Sequence, residues 1–148
     1  MPGYGVPSDN DGALPWSWAE ERIESCHNYF VATTRPDGRP HVMPVWGAWT
    51  DGLFVFSTAI TSRKSENLKA NPRVTVAIEC DDKEAVILEG DARLVELDEV
   101  PGFVDVYRKK YDYMIDSGPV WAVEPRSAFG FIEDDSFART ATRWRWEL

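Results

Sequence analysis

His41-Val42-Met43-Pro44-Val45-Trp46-Gly47-Ala48-Trp49-Thr50-Asp51-Gly52-Leu53-Phe54-Val55-Phe56-Ser57-Thr58 is the stretch that decides the fold class. Asp51-Gly52 is the strongest short-range hairpin signal, because both residues tolerate the backbone angles of a two-residue turn. It predicts one strand over His41–Thr50 and a return strand over Leu53–Thr58. Pro44 interrupts the first run. A proline inside a strand removes a ladder N–H, so it marks an edge, a bulge, or a place where something else meets the backbone.

The same turn-and-strand grammar extends outward. Upstream, Tyr29–Thr34 is a short β run closed by Arg35-Pro36-Asp37-Gly38. Before it, Pro15 opens a helix in which Ser17 and Glu20 have capping-box spacing and Ala19, Ile23, Cys26 and Phe30 share a stripe. Downstream, Thr61–Ala70 reads as a short helix ended by Asn71-Pro72. Arg73–Cys80 alternates as a strand, Asp81–Glu84 turns, and Ala85–Leu97 is a long strand with Gly90 as its bulge. Apolar residues at helical spacing predict a helix over Asp98–Ile115, and two more β runs follow, Val120–Glu133 and Ser136–Leu148. In the last run Thr142, Trp144, Trp146 and Leu148 face one way while Arg139, Arg143 and Arg145 face the other. About seven strands and three helices without βαβ alternation argue against a doubly wound sheet. The pattern predicts a mainly β antiparallel barrel with flanking helices. Residues 1–14 read as a flexible lead-in and 15–148 as one domain.

Composition narrows the function classes. The chain has 148 residues, 43% apolar and 28% charged, with seven Trp, seven Phe and five Tyr. So many aromatics predict a tightly packed β-rich core, a planar ligand, or both. The net charge of −9 argues against a nucleic-acid partner, since a phosphate backbone needs a basic face. There is no apolar run of membrane-spanning length and no secretory pattern at the N-terminus, so a cytoplasmic location is expected. Two cysteines give no disulfide framework and no metal site. Cys26 reads as core, and Asp81 and Asp82 beside Cys80 raise its thiol pKa rather than activate it. His41 has the chemistry of a general acid or a haem ligand, although a strand histidine beside a turn is more often polar surface.

Against this acidic background, residues 61–73 carry Arg63, Lys64, Lys69 and Arg73 with only Glu66 in opposition. The basic residues begin where a strand hands over to a helix, whose first N–H groups and partial positive charge suit a phosphate. Arg63 can grip a phosphate through two parallel N–H bonds, and Lys64 adds a point charge. A flat ligand lying along His41–Gly47 would find backbone groups at Pro44 and aromatic walls at Trp46 and Trp49 together.

The succession Arg35-Pro36-Asp37-Gly38-Arg39-Pro40-His41, Pro44-Val45-Trp46, Phe56-Ser57-Thr58, Ser62-Arg63-Lys64 and Asn71-Pro72-Arg73 resembles the split β-barrel flavoproteins. These are the pyridoxamine 5′-phosphate oxidase-like proteins and their deazaflavin-dependent relatives. The resemblance covers roughly Pro15–Val95, and Thr142-Arg143-Trp144-Arg145-Trp146 is similar to the family's last strand. It implies a six-stranded antiparallel split barrel that forms a homodimer with cofactor sites at the interface. By the same resemblance Ser62, Arg63 and Lys64 bind the cofactor phosphate. Val42, Pro44, Val45 and Trp46 then run along the ring system, and Phe56, Ser57 and Thr58 lie beside the ring and ribityl chain.

The oxidase itself carries an Arg and a Lys in the strand that corresponds to His41–Gly47. Their absence here points away from pyridoxamine phosphate as substrate. The Pro36–Trp46 stretch and the closing Thr142–Trp146 look more like the branch that uses coenzyme F420, with FMN as the other cofactor. The expected function is therefore hydride transfer between F420 or FMN and a small, planar organic substrate, with no side chain singled out as catalytic. The alternative is a non-catalytic flavin- or haem-binding protein on the same barrel. For F420, whose anionic tail extends beyond the phosphate, Lys69, Arg73, Arg139, Arg143 and Arg145 are the cations expected along the tail's path.

Overall fold

The alternating runs pair into one antiparallel sheet in the computed structural model, which describes residues 13–81 and 83–146. Its strands are β1 (Tyr29–Thr34), β2 (Pro40–Val45), β3 (Gly47–Thr50), β4 (Leu53–Phe56), β5 (Arg73–Asp81), β6 (Glu84–Val95), β7 (Val120–Ile132) and β8 (Thr142–Arg145). They lie in the order β2-β1-β5-β6-β7-β4-β3, and β8 pairs with the later half of β7. The helices are α1 (Trp16–Ser25), α2 (Arg63–Ala70), α3 (Phe103–Tyr111) and the single turn α4 (Phe137–Thr140).

β2 and β3 form opposite edges of this sheet, yet only Trp46 separates them in the chain. Consecutive Cα atoms are about 3.8 Å apart, so Val45 and Gly47 lie within about 7.6 Å of each other. The sheet must therefore curl until its two edges meet at that corner. The result is a split barrel, closed there by the chain itself and not by a strand pair.

Side-chain alternation then fills two layers. Trp49, Phe54, Phe56, Trp121 and Val123 join Ala19 and Ile23 of α1 and Leu68 of α2 in the barrel interior. Their sequence neighbours Ala48, Val55, Val120 and Ala122 face outward under Phe103 and Tyr107 of α3. Burying one such large apolar side chain contributes about 1.5–3 kcal/mol, so both layers matter to stability.

Several local expectations are corrected. The Ser17–Glu20 capping box does not form; Pro15 stands at the N-cap, and Glu20 instead accepts a hydrogen bond from Trp49 Nε1 at 2.9 Å. Phe30 leaves the α1 stripe because β1 has already begun, and it is 48% exposed. The run His41–Thr50 breaks at Trp46, and Ser57 and Thr58 lie beyond the end of β4. α3 is shorter than Asp98–Ile115: Leu97–Glu99 is a 3-10 turn, and Asp112 ends the helix in the left-handed region. Ser136–Leu148 is not one strand, since α4 precedes β8 and carries Arg139 off the strand. Leu148 lies outside the described residues, as do the side chains of Cys80, Asp81 and Asp82. The described residues hold eight strands where the resemblance implies six. The excess is the break at Trp46 and the short β8. Of the lead-in over 1–14, residues 1–12 lie outside the described residues. Leu14 is pinned to β8, its N–H donating to Thr142 Oγ1 and its carbonyl accepting from Trp144 Nε1. The Gly90 bulge is present, as a register shift against β7 between Glu89 and Gly90.

Candidate functional site

α2 begins where the sequence places the phosphate contact, and its first turn is tightly fixed. Ser62 is the N-cap, its Oγ accepting from Ser65 N–H at 3.3 Å. The same oxygen donates to Ser65 Oγ and accepts from Thr58 Oγ1. Ser65 is fully buried; its hydroxyl donates to the Ala59 carbonyl at 2.8 Å and accepts from Trp121 Nε1 at 3.0 Å. A helix start held to β7 in this way presents its free N–H groups in a fixed direction. Ser62's hydroxyl is thus already engaged in the cap, while Arg63 stands exposed and Lys64 half-buried beside it.

The β1–β2 turn and the start of β2 bring two more basic residues, Arg35 and His41, to this place. His41 pairs with Thr33 across the ladder, and Thr33 Oγ1 accepts from Asn67 Nδ2 at 2.9 Å. That bond ties this end of β1 to α2. Lys64 is one turn before Asn67 on the same helix face. Burial holds the His41 imidazole below its ordinary pKa, and the positive charges of Arg35, Lys64 and Arg63 press it lower still. Burial also lowers the Lys64 ammonium. None of Arg35, Arg63 and Lys64 forms an ion pair with a carboxylate among the described residues. Arg35 Nε and His41 Nδ1 are buried with no hydrogen-bond partner. Like charges gathered without counter-ions raise the energy of the protein alone and are relieved by a bound anion. A phosphate-bearing cofactor fits this site.

The corner at Trp46 is a second feature. Trp46 is 41% exposed and stacks on Tyr111 with centroids 4.6 Å apart and planes at 4°. His27 meets both rings edge-on. The Tyr111 hydroxyl accepts from Gly47 N–H at 3.0 Å and lies 2.8 and 3.0 Å from the carbonyls of His27 and Gly47. Burial pushes the Tyr111 phenol up to about 12; the Gly47 N–H pulls the other way and Tyr107 adds to the rise.

Of the residues singled out from sequence, Thr58, Ser62, Arg63 and Lys64 are brought together. Ser57 is half-buried in the linker between β4 and α2. The Phe56 side chain is fully buried against Phe54, so only its backbone is available to a ligand. Trp49, expected as a second aromatic wall, is core. On β2, His41 and Val45 share one face while Val42 and Pro44, both exposed, share the other. Lys69 is held by Glu66 and the Ile60 carbonyl. Arg35 was not legible as a site residue, because a basic residue in a turn carries no signal of what the turn packs against.

A family model for pyridoxamine 5′-phosphate oxidase matches residues 18–142. Among solved structures, an F420 reductase superposes with a TM-score of 0.60 at 24% identity, over 74% of this chain and 94% of that one. A FAD-binding protein from Mesorhizobium loti matches with a TM-score of 0.63 at 20% identity, over 79% of this chain and 92% of that one. A haem-binding protein from Mycobacterium smegmatis gives 0.64 at 21% identity, over 94% of this chain and 58% of that one. At such identities the structures speak for the fold. The family match runs from α1 to the first residue of β8 and takes in both the Trp46 corner and the basic start of α2. The chain belongs to the pyridoxamine 5′-phosphate oxidase family of split-barrel, flavin-binding proteins.

Proposed function

We propose that this protein is an oxidoreductase that uses coenzyme F420, ahead of FMN, to move a hydride to or from a small planar organic substrate. One observation carries the reading: the unpaired basic cluster at the start of α2, next to the strand edge at β2. Such a cofactor supplies the hydride chemistry when bound, and the protein supplies binding, orientation and a dry surface. Arg63 and Lys64 hold the phosphate, the free edge of β2 offers backbone groups, and Trp46 gives an aromatic wall. The F420 reductase among the structural relatives favours F420. Equilibrium dialysis of the apoprotein against F420 and FMN at low and high salt tests it. F420 should bind more tightly, with the greater salt sensitivity, because its tail carries negative charge beyond the phosphate and contacts between exposed charges are screened by salt. Tighter binding of FMN at both salt levels would transfer the assignment to FMN.

The second reading is a non-catalytic flavin or haem carrier, favoured by the haem-binding relative that matches nearly the whole chain. A visible spectrum of the purified protein separates the two. A deazaflavin or flavin band together with hydride transfer supports the oxidoreductase, whereas a haem band, or a flavin band with no hydride transfer, supports the carrier.

The same reading includes a homodimer. An apolar row crosses the outer face of five strands through Pro44, Phe30, Ala77, Ile87 and Phe129, each the ladder partner of the next. Beside it lies a groove of about 840 Å3 lined by Arg73, Glu89, Asp91 and Arg126 among others. Its two carboxylates disfavour a polyanionic ligand. Its mixed charges suit the same surface of a second copy, which offers both signs in return.

A further inference from the structure

We propose that Arg35 and His41 form a second arm of the anion site, facing Arg63 and Lys64, and that His41 engages the bound anion as an imidazolium donor. This rests on the cofactor reading above and extends it from the α2 start to the β1–β2 turn.

Unmatched polar atoms carry this inference. Arg35 Nε and His41 Nδ1 are both buried, and neither has a partner. Buried polar groups are nearly always hydrogen-bonded, and an orphaned guanidinium N–H and an orphaned imidazole nitrogen beside two unpaired cations point to an anion. Asn67 adds a third irregularity: it is fully buried, its Nδ2 is satisfied by Thr33, and its Oδ1 is not satisfied. Thr33 is also the ladder partner of His41, so the irregularities fall in one place.

The charged groups around His41 come from two elements. The turn supplies Arg35, and α2 supplies Arg63 and Lys64. Asp37 lies in the same turn and feels Arg35, but its carboxylate bonds Arg39 N–H at 3.1 Å and Arg39 Nε at 3.0 Å. Glu66 is paired with Lys69 at 3.0 Å. Without an anion, three positive neighbours and burial keep His41 neutral. A phosphate offsets most of that positive charge and accepts a charge-assisted hydrogen bond from the ring, so the imidazole takes one proton from solvent to become a double donor.

The test is calorimetry of the apoprotein with FMN, and with coenzyme F420 in parallel, in two buffers of different ionisation enthalpy at pH 7.5. There the FMN phosphate, a monoester, is almost wholly dianionic, and the F420 phosphate, a diester through which the tail continues, has no second proton to bind, so uptake is not the phosphate's own. The wild type should take up roughly half a proton or more on binding. His41→Gln should take up none, and Arg35→Ala should weaken binding roughly tenfold. Riboflavin, which lacks the phosphate, should bind all variants alike. No proton uptake by the wild type overturns the proposal without recourse to any variant. So does unchanged affinity in Arg35→Ala together with unchanged uptake in His41→Gln, while Arg63→Ala and Lys64→Ala lose affinity. If Arg63→Ala and Lys64→Ala also bind normally, the cofactor reading of the site fails with it.

Discussion

Lys64 and Arg63 give an anion different things. Arg63 is exposed and offers a planar fork, whereas Lys64 is half-buried and keeps its charge at some cost in solvation. Removing the Lys64 ammonium deletes a charge-assisted hydrogen bond worth about 1.5–3 kcal/mol, so Lys64→Ala should weaken cofactor binding roughly tenfold or more. Fluorescence titration measures it, and normal binding by both Arg63→Ala and Lys64→Ala would remove the phosphate from α2. Tyr111 makes a different kind of prediction. Its phenol sits among the backbone groups of Gly47 and His27, and its folded pKa of about 12 exceeds the ordinary value of 10.0. The neutral form is therefore the one the fold favours. Its contribution is fully present below pH 10 and is lost as pH rises through 12. In Tyr111→Phe that alkaline loss should be smaller than in the wild type, while stability at pH 7 should fall by about 1–3 kcal/mol, because Gly47 N–H loses its acceptor. Urea unfolding at pH 7 and pH 11 reads both.

At the scale of elements, the β2–β3 break depends on one small residue. A Cβ on Gly47 would come 2.4 Å from the Phe54 ring and 3.1 Å from the Val55 carbonyl. Phe54 is fully buried and cannot yield freely. Gly47→Ala should therefore cost about 1–3 kcal/mol, seen as a lower urea midpoint with an unchanged slope. This contact also shows what the sequence withholds. Asp51-Gly52, the Gly90 bulge and the Ser62 start of α2 are legible because each follows from local backbone chemistry. The split at Trp46 is not, because it needs Phe54 to close on Gly47 from the paired strand. Residues 136–148 mislead for a related reason: Trp144 and Trp146 do alternate and both meet Trp16 of α1, but the strand that carries the alternation is only Thr142–Arg145, and Phe137–Thr140 before it turns as α4. Within the site, the Ser62–Lys64 contact could be placed from sequence. The approach of Arg35 and His41 could not, since it rests on the Asn67–Thr33 bond between residues 34 positions apart.

For the whole molecule, the exposed apolar row sets the expected assembly. Phe30 is 48% exposed and Val42 57% exposed in the single chain, and both lie on the outer face of the same strand pair. Light scattering at low micromolar concentration should report about twice 16.8 kDa. Phe30→Glu places a charge within the row and should return the monomer with an unchanged circular dichroism spectrum, since little of the single-chain core rests on Phe30. A wild-type monomer that binds cofactor tightly would refute the shared site.

Closure by the chain at Trp46 also has a mechanical consequence. A seam held by hydrogen bonds can unzip from either end, one pair at a time. Here β2 and β3 share no ladder, and one end of the seam is fastened by covalent bonds that do not stretch. The two edges can part only as the arms of a pair of compasses do, pivoting at Trp46 and opening widest at Pro40 and Thr50. Tyr111, gripping Gly47 at the pivot, sets how stiffly they turn.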